Sequence, residues 1–197
     1  GELDRAGVGV APERVEVELF DLTGRSLAEL AAAVAGVDAE EGGEAGEGAF
    51  AVLVEIVDRH NGIVNKFLGD GFLALFGAPI DDPNAAERAV AAGREMLTAM
   101  VDNNAGHDWP LRIGIGIHIG AVVAGNIGSP RRKEYTVIGD TVNFAARLES
   151  LNKDFNSQFL ISEAVHAALG DLRSNAVSLG EVPVKGYDRP MAVWQLG

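Results

Sequence analysis

The alternation of hydrophobic and polar positions predicts β-strands along much of the chain, and it is most regular between Leu111 and Val123. Isoleucine occupies every second position from Ile113 to Ile119, with glycine or His118 in between. A strand with this pattern buries its isoleucine face, and its glycine face indicates that something approaches the backbone closely. A lone histidine on such a strand is more often a hydrogen-bonded structural residue than a metal ligand.

Shorter alternating segments predict the remaining strands. Val15 to Leu19 is the first of them, and it stops at a turn formed by residues 21–24. Residues 63–67 and 72–76 flank a Leu-Gly-Asp-Gly turn, which predicts a hairpin. Further strands are predicted at 135–138, 159–161, 177–184 and 191–196.

Helices are predicted where hydrophobic residues recur every three or four positions. Ser26 resembles an N-cap with Glu29 as its capping-box partner, which predicts a short helix ending by Gly36. Residues 37–48 follow with five carboxylates, four glycines and no cation, and we interpret them as a solvated loop rather than a metal cluster. The interleaved elements favour an α+β fold with a mostly antiparallel sheet. Longer helices are predicted at 49–60, 83–104 and 140–151.

Composition narrows the classes of function. The chain has 197 residues, of which 47% are hydrophobic, and this suits one domain at residues 13–197 after a linker at 1–12. The formal net charge of -13 disfavours nucleic acids and anionic membrane surfaces, so local cations must hold any anionic ligand. The absence of cysteine excludes a disulfide framework and a thiolate zinc site, and it fits a reducing compartment. The chain begins with glycine rather than methionine, and we expect it to be one domain of a longer protein.

Common nucleotide-binding and hydrolase motifs are missing from the sequence. It has no Walker-type phosphate loop, no His-Glu-x-x-His zinc motif and no Gly-x-Ser-x-Gly elbow. Gly120, Gly125 and Gly128 resemble a dinucleotide-binding loop, but Pro130 and a strand follow them where that site requires a helix. A Rossmann-type site is therefore excluded.

Two carboxylates in turns are candidates for a metal site. Asp21 follows the first predicted strand, and Asp70 lies in the predicted hairpin turn. If those strands are neighbours in one sheet, both carboxylates reach the same edge and offer the oxygen ligands that a pair of divalent cations prefers. Because aspartate is common in turns, the pairing alone is weak support for a metal site.

Four ordered blocks carry a more specific resemblance. They are NKFLGDG at 65–71, ALFG at 74–77, GIHIGAVVAGNIG at 116–128 and YTVIGDTVNFAARLE at 135–149, and Val184-Lys185-Gly186 follows near the end. Together they resemble the catalytic domain of class III adenylate and guanylate cyclases. The resemblance implies that family's fold, which is an α+β fold with a ferredoxin-like βαββαβ core, a mostly antiparallel sheet and flanking helices.

The resemblance implies a two-metal site and a cradle for phosphates. Asp21 and Asp70 would hold two Mg²⁺ or Mn²⁺ ions, with the Leu22 carbonyl as a further ligand. Backbone N–H groups of residues 22–26 would wrap the β- and γ-phosphates, as a strand-to-helix turn can. The phosphate-binding residues that it implies are Thr23, Gly24, Arg25, Ser26, Arg132 (with Arg131 as its alternative) and Lys185.

Four further residues receive roles from the resemblance. Lys66 and Thr136 would contact the purine edge, Asn143 would position the ribose, and Arg147 would stabilise charge on the α-phosphate in the transition state. Asn143 and Arg147 are four positions apart, so on one helix they share a face. The alternative for each is an ordinary surface role, such as an ion pair of Arg147 with a neighbouring carboxylate.

The implied activity is that of an adenylate cyclase, which converts ATP to cyclic AMP and pyrophosphate by in-line attack of the ribose 3′-oxygen on the α-phosphorus. ATP is favoured over GTP because Lys66 can donate to adenine N1 and Thr136 can accept from the 6-amino group. The resemblance also implies a head-to-tail homodimer with two shared active sites, in which Gly114, Gly116 and Gly120 mark where the partner comes close. It further implies a cytoplasmic location, with regulatory or membrane domains fused elsewhere and no membrane contact from this segment.

Two alternatives remain open. Phe20 directly precedes Asp21, whereas the family has one residue between them, and a deleted residue reverses strand alternation unless the strand bulges. The first alternative is therefore a catalytically impaired module that binds nucleotide or dimerises to regulate a fused domain. The second is a cyclase for guanine nucleotides, either a guanylate cyclase or a diguanylate cyclase. The latter is disfavoured because the sequence has no Gly-Gly-Asp-Glu-Phe-like turn.

Overall fold

The computed structural model describes residues 16–18, 29–38, 43–78, 80–105, 110–129 and 132–196. The predicted linker at 1–12 lies outside the described residues. So do the following predicted site residues: Asp21, Leu22, Thr23, Gly24, Arg25, Ser26 and Arg131.

The described residues form strands and helices in an interleaved order. The strands are β1 (Glu16–Glu18), β2 (Glu29–Asp38), β3 (Gly62–Leu68), β4 (Gly71–Phe76), β5 (Arg112–Ala121), β6 (Val123–Ser129), β7 (Arg132–Ile138), β8 (Phe159–Ser162), β9 (Val177–Val182) and β10 (Met191–Gln195). The helices are α1 (Gly43–Arg59), α2 (Ala85–Asn104), α3 (Asp140–Asp154) and α4 (Glu163–Ala168), with a 3-10 segment at Gly170–Asn175.

A seven-stranded sheet in the order β3-β4-β2-β5-β8-β10-β9 is the centre of the fold. Its neighbouring strands are antiparallel except β5 and β8, which are parallel. The segment β2-α1-β3-β4-α2-β5 forms a ferredoxin-like βαββαβ core, because β2 lies between the β3–β4 hairpin and β5. A separate antiparallel sheet has the order β1-β6-β7. The predicted α+β fold with a mostly antiparallel sheet is confirmed.

The predicted helix from Ser26 to Gly36 is wrong, because residues 29–38 form strand β2. This strand pairs with β4 on one side and with β5 on the other. Its alanine-rich sequence has a helical preference, but the open position between two strands with unpaired backbone groups overrides that preference. The strand beside the hairpin is therefore β2 rather than the first strand of the chain, and β1 instead pairs with β6.

Two further boundaries differ from the sequence prediction. Helix α1 begins at Gly43, so the second half of the predicted solvated loop is helical. The helix dipole stabilises glutamates in the first turn of a helix, and this favours the helical conformation of the acidic stretch. The predicted strand at 111–123 is divided, because β5 ends at Ala121 and β6 begins at Val123 in the second sheet.

Helices cover both faces of the large sheet. On one face α1 and α2 pack against a core that includes Ile113, Ile115 and Ile117 of β5. On the other face α3 lies directly over the glycines of β5. A Cβ atom at Gly116 would lie 2.3 Å from the backbone nitrogen of Glu149 in α3. The predicted close approach to this glycine face is confirmed. The approaching element is a helix of the same chain, however, and not the partner expected at Gly114, Gly116 and Gly120.

Candidate active site

The β3–β4 hairpin carries Lys66 and Asp70. The strand pairing shifts at Asn65, so this residue forms a bulge and Lys66 pairs with Leu73. The turn that follows contains Gly69 with a φ of 67°, a conformation that glycine adopts at little cost. Lys66 and Asp70 are both exposed. No described residue forms a hydrogen bond or an ion pair with the Asp70 carboxylate, so its oxygens are available to a ligand.

The pairing of Lys66 places it on the same side of the sheet as α3. Leu73 belongs to the apolar cluster that includes Ala145 of α3, and directly paired residues of antiparallel strands project to one side. Strand β7, which contains Thr136, contacts β3. The structure therefore brings the strands of the two predicted base-recognition residues together. Arg132 opens β7, opposite Ser129.

Helix α3 carries Asn143 and Arg147 on its outer face. Both side chains are exposed, whereas Phe144 and Leu148 are buried against the sheet. The first turn is anchored by Thr141, whose Oγ1 donates to the Ala121 carbonyl at 2.7 Å. The predicted helix is confirmed, and its two polar residues are one turn apart on a face that points away from the sheet.

Lys185 lies in a tight turn that is fixed to the start of α3. The Tyr187 backbone N–H donates to the Val184 carbonyl at 3.1 Å, and Gly186 has a φ of 90° as a type II turn requires at this position. The Tyr187 hydroxyl donates to Asp140 Oδ1 at 2.8 Å. Lys185 itself is exposed. Tyr187 was not among the predicted site residues, because the residue to which it bonds is 47 positions away in the chain.

Tyr187 is also close to the charged groups of the helix. The pKa of Tyr187 is raised to about 12 by burial, by its hydrogen bond to Asp140 and by the charge of that carboxylate, while Arg147 lowers it. The hydroxyl therefore keeps its proton at neutral pH and remains a donor.

His118 has a structural role, as predicted for a lone histidine on a strand. Its Nδ1 is 2.8 Å from Ser162 Oγ, and its ring meets the Phe144 ring edge-on with a centroid distance of 4.6 Å. Burial lowers the pKa of His118 from 6.5 to about 4, although the charge of Asp140 raises it in part. The ring is thus neutral at physiological pH.

Three cations of the candidate site have described side chains, and Lys66, Arg147 and Lys185 form no ion pair with a described carboxylate. Within the described ranges the ion pairs are those of Arg59 and His60 with Glu95 and of Arg88 with Asp82. Arg147 thus has no ion pair with a described carboxylate, and its role stays a prediction. In a chain with a formal net charge of -13, these three exposed cations, which have no ion-pair partner in the part of the chain that the structure describes, are available to an anionic ligand.

Asp38 ends the strand that lies beside the hairpin. Gly36 pairs with Gly71 of the hairpin and with Gly114 of β5, and Asp38 pairs with Arg112. The end of β2 and the turn that contains Asp70 therefore lie at one edge of the sheet. Asp38 occupies the strand-end position where the sequence analysis expected Asp21.

Among the described residues, no cluster of three or more His, Cys, Asp or Glu side chains could hold a metal ion. Of the two carboxylates predicted to hold metal, Asp70 is described and Asp21 lies outside the described residues. No described helix is long and apolar enough to cross a membrane.

Comparisons with known proteins agree with this architecture. The adenylyl cyclase CyaB from P. aeruginosa is 27% identical, with a TM-score of 0.77 over 87% of this chain and 95% of that one. The guanylyl cyclase Cya2 is 31% identical, with a TM-score of 0.72 over 86% of this chain and 92% of that one.

Comparisons of the sequence also relate this chain to the cyclase family. An uncharacterized Mycobacterium tuberculosis protein is 46% identical over 145 residues, which are 72% of this chain and 25% of that protein. The chain thus spans about a quarter of the length of this relative. The profile of the adenylate and guanylate cyclase catalytic domain matches residues 44–197. This chain belongs to the adenylate and guanylate cyclase catalytic domain family.

Proposed function

We propose that this domain is an adenylate cyclase, which converts ATP to 3′,5′-cyclic AMP and pyrophosphate. The observation that carries the proposal is the grouping of exposed polar residues around α3. Asn143 and Arg147 lie on its outer face, Lys185 lies in a turn tied to its first residue, and Lys66 lies on the same side of the sheet. These residue types suit a ribose, a triphosphate and a purine edge.

In this proposal the reaction is a substitution at the α-phosphorus. The ribose 3′-oxygen forms a bond to the α-phosphorus, and the bond to the oxygen that bridges to the β-phosphate breaks, which releases pyrophosphate. Asn143 orients the ribose, and Arg147 stabilises the charge that develops on the α-phosphate. Lys185 and Arg132 hold the outer phosphates, together with Thr23, Gly24, Arg25 and Ser26.

The proposed cofactors are two Mg²⁺ or Mn²⁺ ions, held by Asp21, Asp70 and the Leu22 carbonyl. The Asp70 carboxylate is exposed and has no partner among the described residues, and it is the kind of hard oxygen donor that these ions prefer. Bound there, the ions would acidify the 3′-hydroxyl and neutralise the triphosphate.

Specificity for adenine is assigned to Lys66 and Thr136, whose strands are in contact. The double substitution Lys66→Glu with Thr136→Cys removes a donor to adenine N1 and an acceptor for the 6-amino group. We expect kcat/KM for ATP to fall about tenfold or more, as lost polar contacts of 1–3 kcal/mol require. Steady-state kinetics with ATP and GTP test this, and unchanged ATP kinetics would remove both residues from the pocket.

We also propose that each active site combines residues of two chains. Asn143 and Arg147 lie on the side of α3 that faces away from the sheet, whereas Asp70 lies in the turn of the β3–β4 hairpin. Strand β2 separates this hairpin from β5, the strand over which α3 lies. A second copy of the chain can supply the missing half of each site in a head-to-tail dimer.

Mixing two inactive variants tests the shared site. Asp70→Ala and Arg147→Ala homodimers should each be nearly inactive with ATP and Mn²⁺, because every site lacks one group. A heterodimer has one site with both defects and one with neither, so mixing should restore up to about half of the wild-type activity. Lack of recovery with folded, exchanging variants would contradict the shared site.

Product detection by mass separates the proposed activity from its alternatives. The purified domain is incubated with Mn²⁺ and either ATP or GTP, and cyclic AMP from ATP is the expected product. Cyclic GMP from GTP, with no product from ATP, would identify a guanylate cyclase, which is the activity named for the similar Cya2 structure. Failure to form product from either nucleotide would identify the impaired module.

The position of Asp38 allows a specific test of whether Asp21 is a metal ligand, on which the choice between the active enzyme and the impaired module depends. Asp21 follows Phe20 directly, and the strand end beside the hairpin belongs to Asp38. If Asp21 holds metal, Asp21→Ala abolishes Mn²⁺-dependent turnover and Asp38→Ala leaves it nearly intact. The reverse result would move the second metal ligand to Asp38.

A further inference from the structure

The turn that contains Lys185 is held at both of its ends. Val184, on one side of Lys185, is buried in an apolar cluster with Phe144 and Leu148 of α3. Tyr187, on the other side, packs its ring edge-on against Phe144 with a centroid distance of 5.0 Å. Lys185 therefore extends into solvent from a segment that cannot move independently of α3.

The polar contact of Tyr187 fixes this segment along the helix axis. Its hydroxyl donates to Asp140 Oδ1 at 2.8 Å, and Asp140 is the first residue of α3. An apolar ring contact permits sliding, whereas a hydrogen bond to a carboxylate requires one position and one direction. Asn143 follows one turn later on the same helix, so the bond sets the distance between Lys185 and the outer face of α3.

We infer that Tyr187 is a positioning residue that aligns Lys185 with Asn143 and Arg147 for binding of the pyrophosphate portion of the substrate. This inference rests on the proposed function, because it assigns Lys185 to the outer phosphates. Tyr187 does not touch the reacting atoms. It acts through Lys185, whose ammonium must reach a phosphate oxygen within about 3 Å to form a charge-assisted hydrogen bond.

Tyr187→Phe tests the role of the hydroxyl without removing the ring. The ring contacts with Phe144 remain, so the domain should fold with an unchanged free energy of unfolding within about 1 kcal/mol. We expect the dissociation constant for inorganic pyrophosphate with Mn²⁺, measured by calorimetry, to rise about three- to tenfold. KM for ATP should rise by a similar factor, with a smaller effect on kcat.

A double-mutant cycle identifies the route through Lys185. Lys185→Ala alone should weaken pyrophosphate binding, and adding Tyr187→Phe should then have almost no further effect, because the group it positions is gone. Additive effects of the two substitutions would overturn the inference, as would unchanged pyrophosphate binding by Tyr187→Phe.

Trp194→Phe is the matched control. The Trp194 Nε1 donates to Glu163 Oε2 at 2.6 Å, so this substitution also removes an aromatic donor from a carboxylate, and it does so on the face opposite α3. Pyrophosphate binding should be unchanged in this variant, and equal weakening in the control would overturn the inference.

The same measurements separate this inference from the proposed function. If the wild-type domain forms no cyclic nucleotide but shows coupling between Tyr187 and Lys185 in pyrophosphate binding, the proposed activity fails and the positioning role stands. If cyclic AMP forms but the coupling is absent, only the positioning role fails. A wild-type domain that binds no pyrophosphate would overturn the positioning role, whereas the formation of cyclic AMP alone decides the proposed activity.

Discussion

The two faces of the large sheet pack against their helices in different ways. Under α1 and α2, large side chains such as Ile113, Ile115 and Phe159 fill the space between helix and strand. Under α3, glycines of β5 bring the helix backbone almost onto the strand. Strand β5 shows both modes in alternate residues.

The difference assigns apolar stabilisation mainly to the α1 and α2 face and the polar residues of the candidate site to the α3 face. The α1 and α2 face stabilises the domain through apolar burial, which tolerates conservative changes of shape. The α3 face also buries apolar side chains, such as Phe144 and Leu148, but it adds a close backbone approach and hydrogen bonds, such as that from Asn152 Nδ2 to the Ile115 carbonyl at 3.0 Å. A helix held in this way keeps its outer residues in a fixed position without using them for packing.

Adding a single methyl group under α3 is the change with the largest expected effect. In Gly116→Ala the new Cβ would lie 2.3 Å from the backbone nitrogen of Glu149 and 2.4 Å from the Ala145 carbonyl oxygen. Backbone atoms cannot rotate away, so α3 must move, and we expect the free energy of unfolding to fall by about 3 kcal/mol. Urea unfolding measures this change.

Two control variants sharpen that result. Gly48→Ala in α1 adds the same methyl group where no atom lies within 4 Å, and it should stabilise the domain by about 0.5–1 kcal/mol. Ile117→Val removes a methyl group from the opposite face of β5 and should cost about 1 kcal/mol. If Gly116→Ala costs no more than Ile117→Val, the contrast between the faces is wrong.

His118 gives the α3 face a dependence on pH. Its pKa is lowered to about 4 in the folded domain but returns to 6.5 on unfolding, so the unfolded chain binds more protons between these values. The contribution of His118 to stability is complete above about pH 6.5 and is lost as the pH falls towards 4. Because the ring is only half-buried, we expect a loss of about 1 kcal/mol between pH 7 and pH 5. Urea unfolding of the wild type and of His118→Gln should show that the difference between them depends on pH, and parallel curves would contradict this.

The smallest expected effect is on the surface of the opposite face. Glu95 of α2 pairs with Arg59 at 2.8 Å and with His60 at 2.6 Å, at the end of α1. Exposed ion pairs contribute little, so Glu95→Gln should lower the free energy of unfolding by about 0.5 kcal/mol and leave kcat/KM for ATP unchanged. A loss as large as that of Gly116→Ala would show that polar contacts also hold this face together.

The sequence predicted those elements whose local pattern follows directly from burial of one face or from a tight turn. The isoleucine alternation of β5 and the hairpin turn at Asp70 are of this kind, and both were correct apart from their end residues. Strand β2 was missed because Glu29 to Gly36 has a local preference for helix, and only its neighbours in the sheet make it a strand. Local pattern carries no information about such neighbours.

For the candidate site, the sequence identified the exposed polar residues but not the contacts that hold them in place. Motif order led to Lys66, Asn143, Arg147 and Lys185, which the structure leaves exposed and without ion pairs to described carboxylates. It did not lead to Tyr187, because its bond to Asp140 joins residues that are 47 positions apart. Their roles in binding and catalysis stay predictions.

The position of β2 has a consequence for how the domain is made. Its partner strands are β4 at residues 71–76 and β5 at residues 112–121, and both follow it in the chain. During synthesis from the N-terminus, β2 is made before both of its partners, and the centre of the sheet cannot close until β5 has also been made. Because β2 and β5 are far apart in the chain, this central pairing has the loop-closure cost of a non-local contact, and the first strand of the core is among the last to have all of its partners.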